Sequence, residues 1–180
     1  MSDIHEFCRI ENLDELSKII KNGNLDITDE YVHTAVFVSS QYGNIDCLRL
    51  LIEYGADIDK ANSRGDTAAM WAASNGHIDC LRLLIEHGAD IDKANSGGDT
   101  PVILSAYYGY IDCLRLLIEH VADIDKANED GFTPALMAAS NGHTDCLNLI
   151  SSVLLMRAEK AELEAILTTK KESTIKTRSL

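Results

Sequence analysis

Proline is nearly missing from this chain, at 2 of 180 residues, and glycine, at 11, is no more than ordinary. Few breakers over that length predict a structure dominated by helices. Positive charge is also short: 16 Lys and Arg stand against 29 Asp and Glu, a net charge of −13. That excludes a protein held to nucleic acid by phosphate contacts, which needs a clustered basic surface. It equally excludes docking on anionic lipid. No apolar run reaches the roughly 18–20 residues of a membrane span; the longest, 147–156, is broken by Asn148, Ser151 and Ser152. The first residues, Met1-Ser2-Asp3-Ile4-His5-Glu6, are acidic and lack the apolar core of a secretory signal. The expectation is an intracellular protein of the cytoplasm or nucleus. No Gly-rich phosphate loop and no Gly-x-Ser-x-Gly nucleophile motif occurs.

What the chain has in quantity is itself. Cysteines fall at 47, 80, 113 and 146, each 33 residues after the last. Around the first three, the nine residues Ile-Asp-Cys-Leu-Arg-Leu-Leu-Ile-Glu recur unchanged at 45–53, 78–86 and 111–119. The fourth copy drifts after Thr144-Asp145-Cys146-Leu147, and residues 12–23 form a degenerate copy upstream, ending in Gly23. A fixed period of this length decides the architecture before any residue-level argument.

Each period reads as two helices and a loop. Thr34, Thr67, Thr100 and Thr133 are N-cap hydroxyls, the last two followed by Pro101 and Pro134 at the first helical position. A short Ala-rich helix follows and ends at Gly43, Gly76, Gly109 or Gly142. The second helix opens near Asp46, Asp79, Asp112 or Asp145, acids that suit the positive end of its dipole. Its apolar residues, such as Ile78, Leu81, Leu84 and Ile85, share one helical face. Gly55 and Gly88 end it, and Val121 stands in the equivalent slot of the third copy. The following Ala-Asp-Ile-Asp-Lys alternates like an extended strand and leads to a turn at 63–65 or 96–98.

Gly98-Asp99-Thr100-Pro101, Gly131-Phe132-Thr133-Pro134, Asn75-Gly76-His77 and Leu83-Leu84-Ile85-Glu86-His87-Gly88-Ala89-Asp90 together resemble the ankyrin repeat, over residues 3–153. The resemblance implies an all-α solenoid of stacked helix-turn-helix units with β-hairpin loops. The units run 1–27, 28–60, 61–93, 94–126 and 127–153, as a slab on the order of 50 Å long. A capping helix over 154–168, extending or following the second helix of the last unit, is expected to close the stack, and 169–180 to be a flexible basic tail. The family's His after Thr-Pro-Leu is replaced by Phe37, Met70, Ile103 and Leu136, positions expected in the apolar core.

Several residue types that could carry chemistry read as structural. Repeat-related cysteines lie about 10 Å apart in a stack, too far for a disulfide or a shared zinc, so they read as reduced core thiols. Four of the six histidines are accounted for by the period, and the pairs Asp57/Asp59, Asp90/Asp92 and Asp123/Asp125 supply too few oxygens for a calcium loop. No catalytic residue, metal or cofactor is expected. The second helices are copies that solve one packing problem, whereas first helices and loop tips differ. In the family that variable side is the concave face that grips a partner. By this analogy the candidate partner-binding residues are Arg64, Asp66, Trp71, Ser74 and Asn75, then Asp99, Tyr107, Tyr108 and Tyr110, then Asp130 and Phe132. Tyr107 and Phe132 read as anchors and Asp66, Asp99 and Asp130 as steering acids. The expected partner is another protein with a basic patch, not nucleic acid or membrane. The chain itself is expected to be monomeric, with self-association through 154–167 as the alternative.

Overall fold

The computed structural model describes residues 4–21, 25–29 and 31–178, with side chains through residue 168. Residues 1–3, 22–24, 30 and 179–180, Gly23 among them, lie outside the described residues. The described chain forms α1 (Ile4–Arg9), α2 (Leu13–Ile20), α3 (Ala35–Tyr42), α4 (Ile45–Glu53), α5 (Ala68–Ser74), α6 (Ile78–Glu86), α7 (Pro101–Tyr108), α8 (Ile111–Glu119), α9 (Pro134–Ser140) and α10 (Thr144–Arg178). The odd-numbered helices pack side by side in one layer and the even-numbered helices in a second.

The two layers differ because their residues do. First helices carry small residues at the contact, Ala72, Ala73, Ala106 and Ala138, all buried, so neighbouring backbones approach closely. Second helices fill the space between layers with Leu48, Leu51, Leu81, Leu84, Leu114 and Leu117, together with Cys47, Cys80, Cys113 and Cys146. Thr34, Thr67 and Thr133 accept the backbone N–H of Phe37 (3.2 Å), Met70 (3.3 Å) and Leu136 (3.3 Å), the expected N-caps. Thr100 starts its helix without that bond, and its buried hydroxyl has no partner.

Three expectations are revised by the fold. Phe37, Met70 and Ile103 are buried as anticipated, but Leu136 is 51% exposed. Among the described residues no further first helix packs on the far side of α9, so the apolar side that would meet one faces solvent. The second revision concerns the loops. Among the described residues no strand forms; the hairpins are tight turns, closed in one unit by Asn62 N–H to the Asp66 carbonyl (3.0 Å). The alternating Ala-Asp-Ile-Asp stretch is not extended, because Asp57 accepts the N–H of Asp59 (3.0 Å) and bends the chain locally. Adjacent loops touch through Ser96 N–H to the Arg64 carbonyl (2.9 Å) and Glu129 N–H to the Gly97 carbonyl (3.0 Å). At that approach a Cβ on Gly98 would lie 2.7 Å from the Glu129 nitrogen, so only glycine fits.

The third revision is at the C-terminal end. The segment 154–168 extends the second helix of the last unit, one of the two forms expected, but its side chains from Leu155 on do not cover the stack. It continues α10, whose 35 residues contain no Gly or Pro to turn it back. Its backbone is helical on to Arg178, through most of the stretch read as a tail. Arg157 still reaches Asp125 (3.6 Å), but every described side chain from Leu155 to Thr168 is exposed.

Candidate protein-interaction groove

Seven of the eleven candidate residues come together. Arg64, Asp66, Trp71, Ser74, Asn75, Tyr108 and Tyr110 line one groove of about 530 Å³ between the units 61–93 and 94–126, with Asn95, Ser96 and Leu104. Helix α5 supplies Trp71 and Ser74, α7 supplies Leu104 and Tyr108, and the loop before each supplies the polar rim. Trp71 is half-buried against Phe37, ring centroids 5.3 Å apart. Tyr108 is exposed and meets Tyr107 edge-on at 4.7 Å and Tyr110 at 6.5 Å. The three tyrosines thus form one continuous aromatic surface. Tyr107, Asp99, Asp130 and Phe132 lie outside the groove lining.

Tyr110 occupies a slot with a structural history. Its counterparts one and two periods away donate across the unit junction: Asn44 Nδ2 to the Cys8 carbonyl (2.5 Å), His77 Nε2 to the Gln41 carbonyl (3.1 Å) and His143 Nε2 to the Tyr107 carbonyl (2.9 Å). Tyr110 lays its ring on Gly76, as His77 and His143 lay theirs on Gly43 and Gly109, so closely that a Cβ on Gly76 would lie 2.4 Å from Tyr110 Cδ1. The exchange removes a junction hydrogen bond and adds aromatic surface to the groove.

The acids do different work from one another. Asp66 is only 7% exposed; its carboxylate accepts from Asn62 Nδ2 (3.1 Å) and Asn95 Nδ2 (2.8 Å), and Arg64 Nε stands 3.3 Å away. Asp99 likewise accepts from Asn128 Nδ2 (2.8 Å). Both acids join their loop to the next, whereas Asp130 is exposed at the last loop. Phe132 takes the slot of Asp66 and Asp99 in the final unit, where no further Asn has to be held. Asn95, with Ser96 and Leu104, was missed by sequence reasoning, and Asn95 is the one with a readable signal. The signal of Asn95 is the spacing Asn62/Asp66 and Asn95/Asp99, repeated every 33 residues.

The paired acids of the other loop edge are a second ladder. Asp26 accepts from Asp57 N–H (3.0 Å), Asp59 from Asp90 N–H (3.1 Å) and Asp92 from Asp123 N–H (2.9 Å). Lys60, Lys93 and Lys126 each reach back to a backbone carbonyl of the preceding unit, of Asp26, Asp59 and Asp92. These side chains are spent on joining units.

Nucleophilic chemistry finds no support in the thiols. Burial pushes Cys80 up to about 12 and Cys113 up to about 11, with Asp79 and Asp112 adding to it. Cys47 is pushed up by its contact with Cys8 and by burial. At neutral pH these are thiols, not thiolates. Among the described residues no group of three or more His, Cys, Asp and Glu could hold a metal ion. His33 bonds Asp29 through Nδ1 (3.0 Å) and stacks on Phe37 at 4.3 Å. For Asp29, burial works to raise the carboxyl, and the N–H groups of His33 and Tyr31 with the His33 ring outweigh it and hold it below the ordinary value. Among the described residues no helix is long and apolar enough to cross a membrane.

No curated protein sequence is similar enough to this one to count as a match. Two family descriptions do match, ankyrin repeats (3 copies) over residues 4–95 and ankyrin repeats (many copies) over residues 105–150. With the 33-residue period, the two helical layers and these matches in agreement, the chain belongs to the ankyrin-repeat family.

Proposed function

We propose that this chain is a non-enzymatic interaction module that holds a partner protein or peptide against its first-helix and hairpin-loop face, centred on the groove between α5 and α7. Ankyrin repeats are generally protein-protein interaction modules and generally non-enzymatic. The observation that carries the reading is the meeting of Trp71, Tyr108 and Tyr110 in one groove rimmed by Ser74, Asn75 and Asn95. Aromatic anchors beside adaptable polar groups are what a recognition surface needs. Tyr107 and Phe132, both exposed, extend that face towards the last unit. In this reading Arg64 and Asp130 meet the partner directly, while Asp66 and Asp99 keep the loops in place. The buried position of the five cysteine thiols supports an intracellular setting.

The test is capture of partners by the full chain, read by mass spectrometry, alongside the double variant Tyr108→Ala, Phe132→Ala. Loss of a hot spot costs about 2 kcal/mol or more, so the variant should bind the captured partner at least ~10-fold more weakly while its circular dichroism is unchanged. Arg82→Ala and Arg115→Ala, on the exposed side of second helices, serve as controls. Loss of binding in the controls alone would move the interface to the opposite face.

The charge of the stack favours a more specific form of this reading. Residues 1–153 hold 10 basic and 25 acidic side chains, a net charge of −15. Such a surface suits a regulatory inhibitor that masks a basic patch on an enzyme or transcription factor. Association should then slow steeply with added salt, and the partner's own ligand should compete; a salt-independent association rate would rule this form out.

A further inference from the structure

Independently of the groove, we propose that α10 beyond the stack is a pairing surface for a second copy of this chain, the two helices lying antiparallel. Leu149, Val153, Met156, Lys160, Leu163 and Leu167 follow one another at steps of 4, 3, 4, 3 and 4 residues. That is the seam of a two-stranded coiled coil, with Leu149, Met156 and Leu163 on one set of positions and Val153, Lys160 and Leu167 on the other. Within the stack the seam is already half-buried, since Leu149 and Val153 pack on the core. Where the helix leaves the stack the same seam opens to solvent: Met156 is 59%, Leu163 61% and Leu167 53% exposed. A helix stripe of large apolar residues gains stability in water mainly by packing, because helix propensity alone is marginal.

A second copy is the occupant that the charges fit, and they also set the direction. Past residue 153 the chain has 6 basic and 4 acidic residues, a net +2 beside a stack of −15. The basic residues gather at the far end, Lys170, Lys171, Lys176 and Arg178. A parallel pair would set two stacks of −15 side by side, put both Lys160 residues in one layer and oppose Glu159 to Glu164 of the other copy. An antiparallel pair avoids all three. The stacks then sit at opposite ends, separated by a helix of roughly 35 Å, which is several screening lengths of about 8 Å. Each basic helix end then approaches the acidic stack of the other copy.

Sedimentation equilibrium of the full chain tests this. The expected result is a concentration-dependent species of twice the 19.8 kDa chain mass. Leu163→Glu with Leu167→Glu should weaken association at least ~10-fold without moving the melting temperature of the stack, because both side chains are exposed. Lys160→Leu should strengthen association by a similar factor, a result a merely structural helix would not give. Spin labels on Arg178→Cys should lie roughly 40–50 Å apart across the antiparallel pair, against about 15 Å in a parallel one. A monomer at every concentration, or a dimer indifferent to the seam substitutions, overturns the proposal. A short label distance overturns the direction and the charge argument with it.

Discussion

Val121 has left-handed backbone, φ 66°, in the slot where Gly55 (φ 83°) and Gly88 (φ 86°) end the equivalent helices. A β-branched side chain is strained there, because its Cβ crowds the neighbouring backbone. Its methyl groups gain little in return, since the residue is 77% exposed. Val121→Gly should therefore stabilise the protein by about 1 kcal/mol, the scale of releasing one such strain less the glycine's extra freedom when unfolded. Denaturant titration would show it as a higher midpoint at unchanged slope. An unchanged or lower midpoint would mean that the entropy cost of glycine outweighs the strain.

At the scale of elements, the loops bear more of the inter-unit connection than their exposure suggests. Asn95 makes three such bonds by itself, donating to Asp66 and accepting the N–H groups of Gly97 (3.0 Å) and Asp99 (2.9 Å). Asn95→Ala should cost roughly 2–3 kcal/mol, since one bond is to a carboxylate left buried and two are to backbone. Asn128→Ala, at the exposed last loop, should cost less, and equal losses in chemical denaturation would argue against burial as the cause. The elements themselves were legible because caps, glycines and apolar spacing all repeat with one period. The loop was misread at 56–59, where polar-apolar alternation looks the same for a strand and for a chain bent by Asp57 bonding Asp59 N–H. The groove was legible as a face but not in its division of labour. Whether Asp66 is a free acid depends on Asn95, 29 positions away, and single-residue chemistry does not reveal that pairing. Leu136 was misplaced for a related reason: its residue type matches Phe37, Met70 and Ile103, and only the missing neighbour sets it apart.

Across the whole molecule, the stack is a one-dimensional object whose units touch mainly the next in line. α4, α6 and α8 carry the same nine residues, Ile-Asp-Cys-Leu-Arg-Leu-Leu-Ile-Glu, so each presents the same surface to its neighbours. A folding chain can therefore make an error of one whole period, docking α4 on α8 and looping out the unit between. Such a skipped frame keeps most second-helix contacts and the Asp–Lys ladder, and loses those that differ between units: Trp71 against Phe37 and Asn95 on Asp66. The variable side of the solenoid thus acts as its proofreader, and refolding should show a slow phase as skipped frames reopen. Making one copy distinct, through Leu83→Ile and Ile85→Leu in α6, should reduce the amplitude of that phase in stopped-flow refolding while leaving the fast phase in place. A single fast phase in the parent chain would show that first helices and loops fix the frame before the second helices dock.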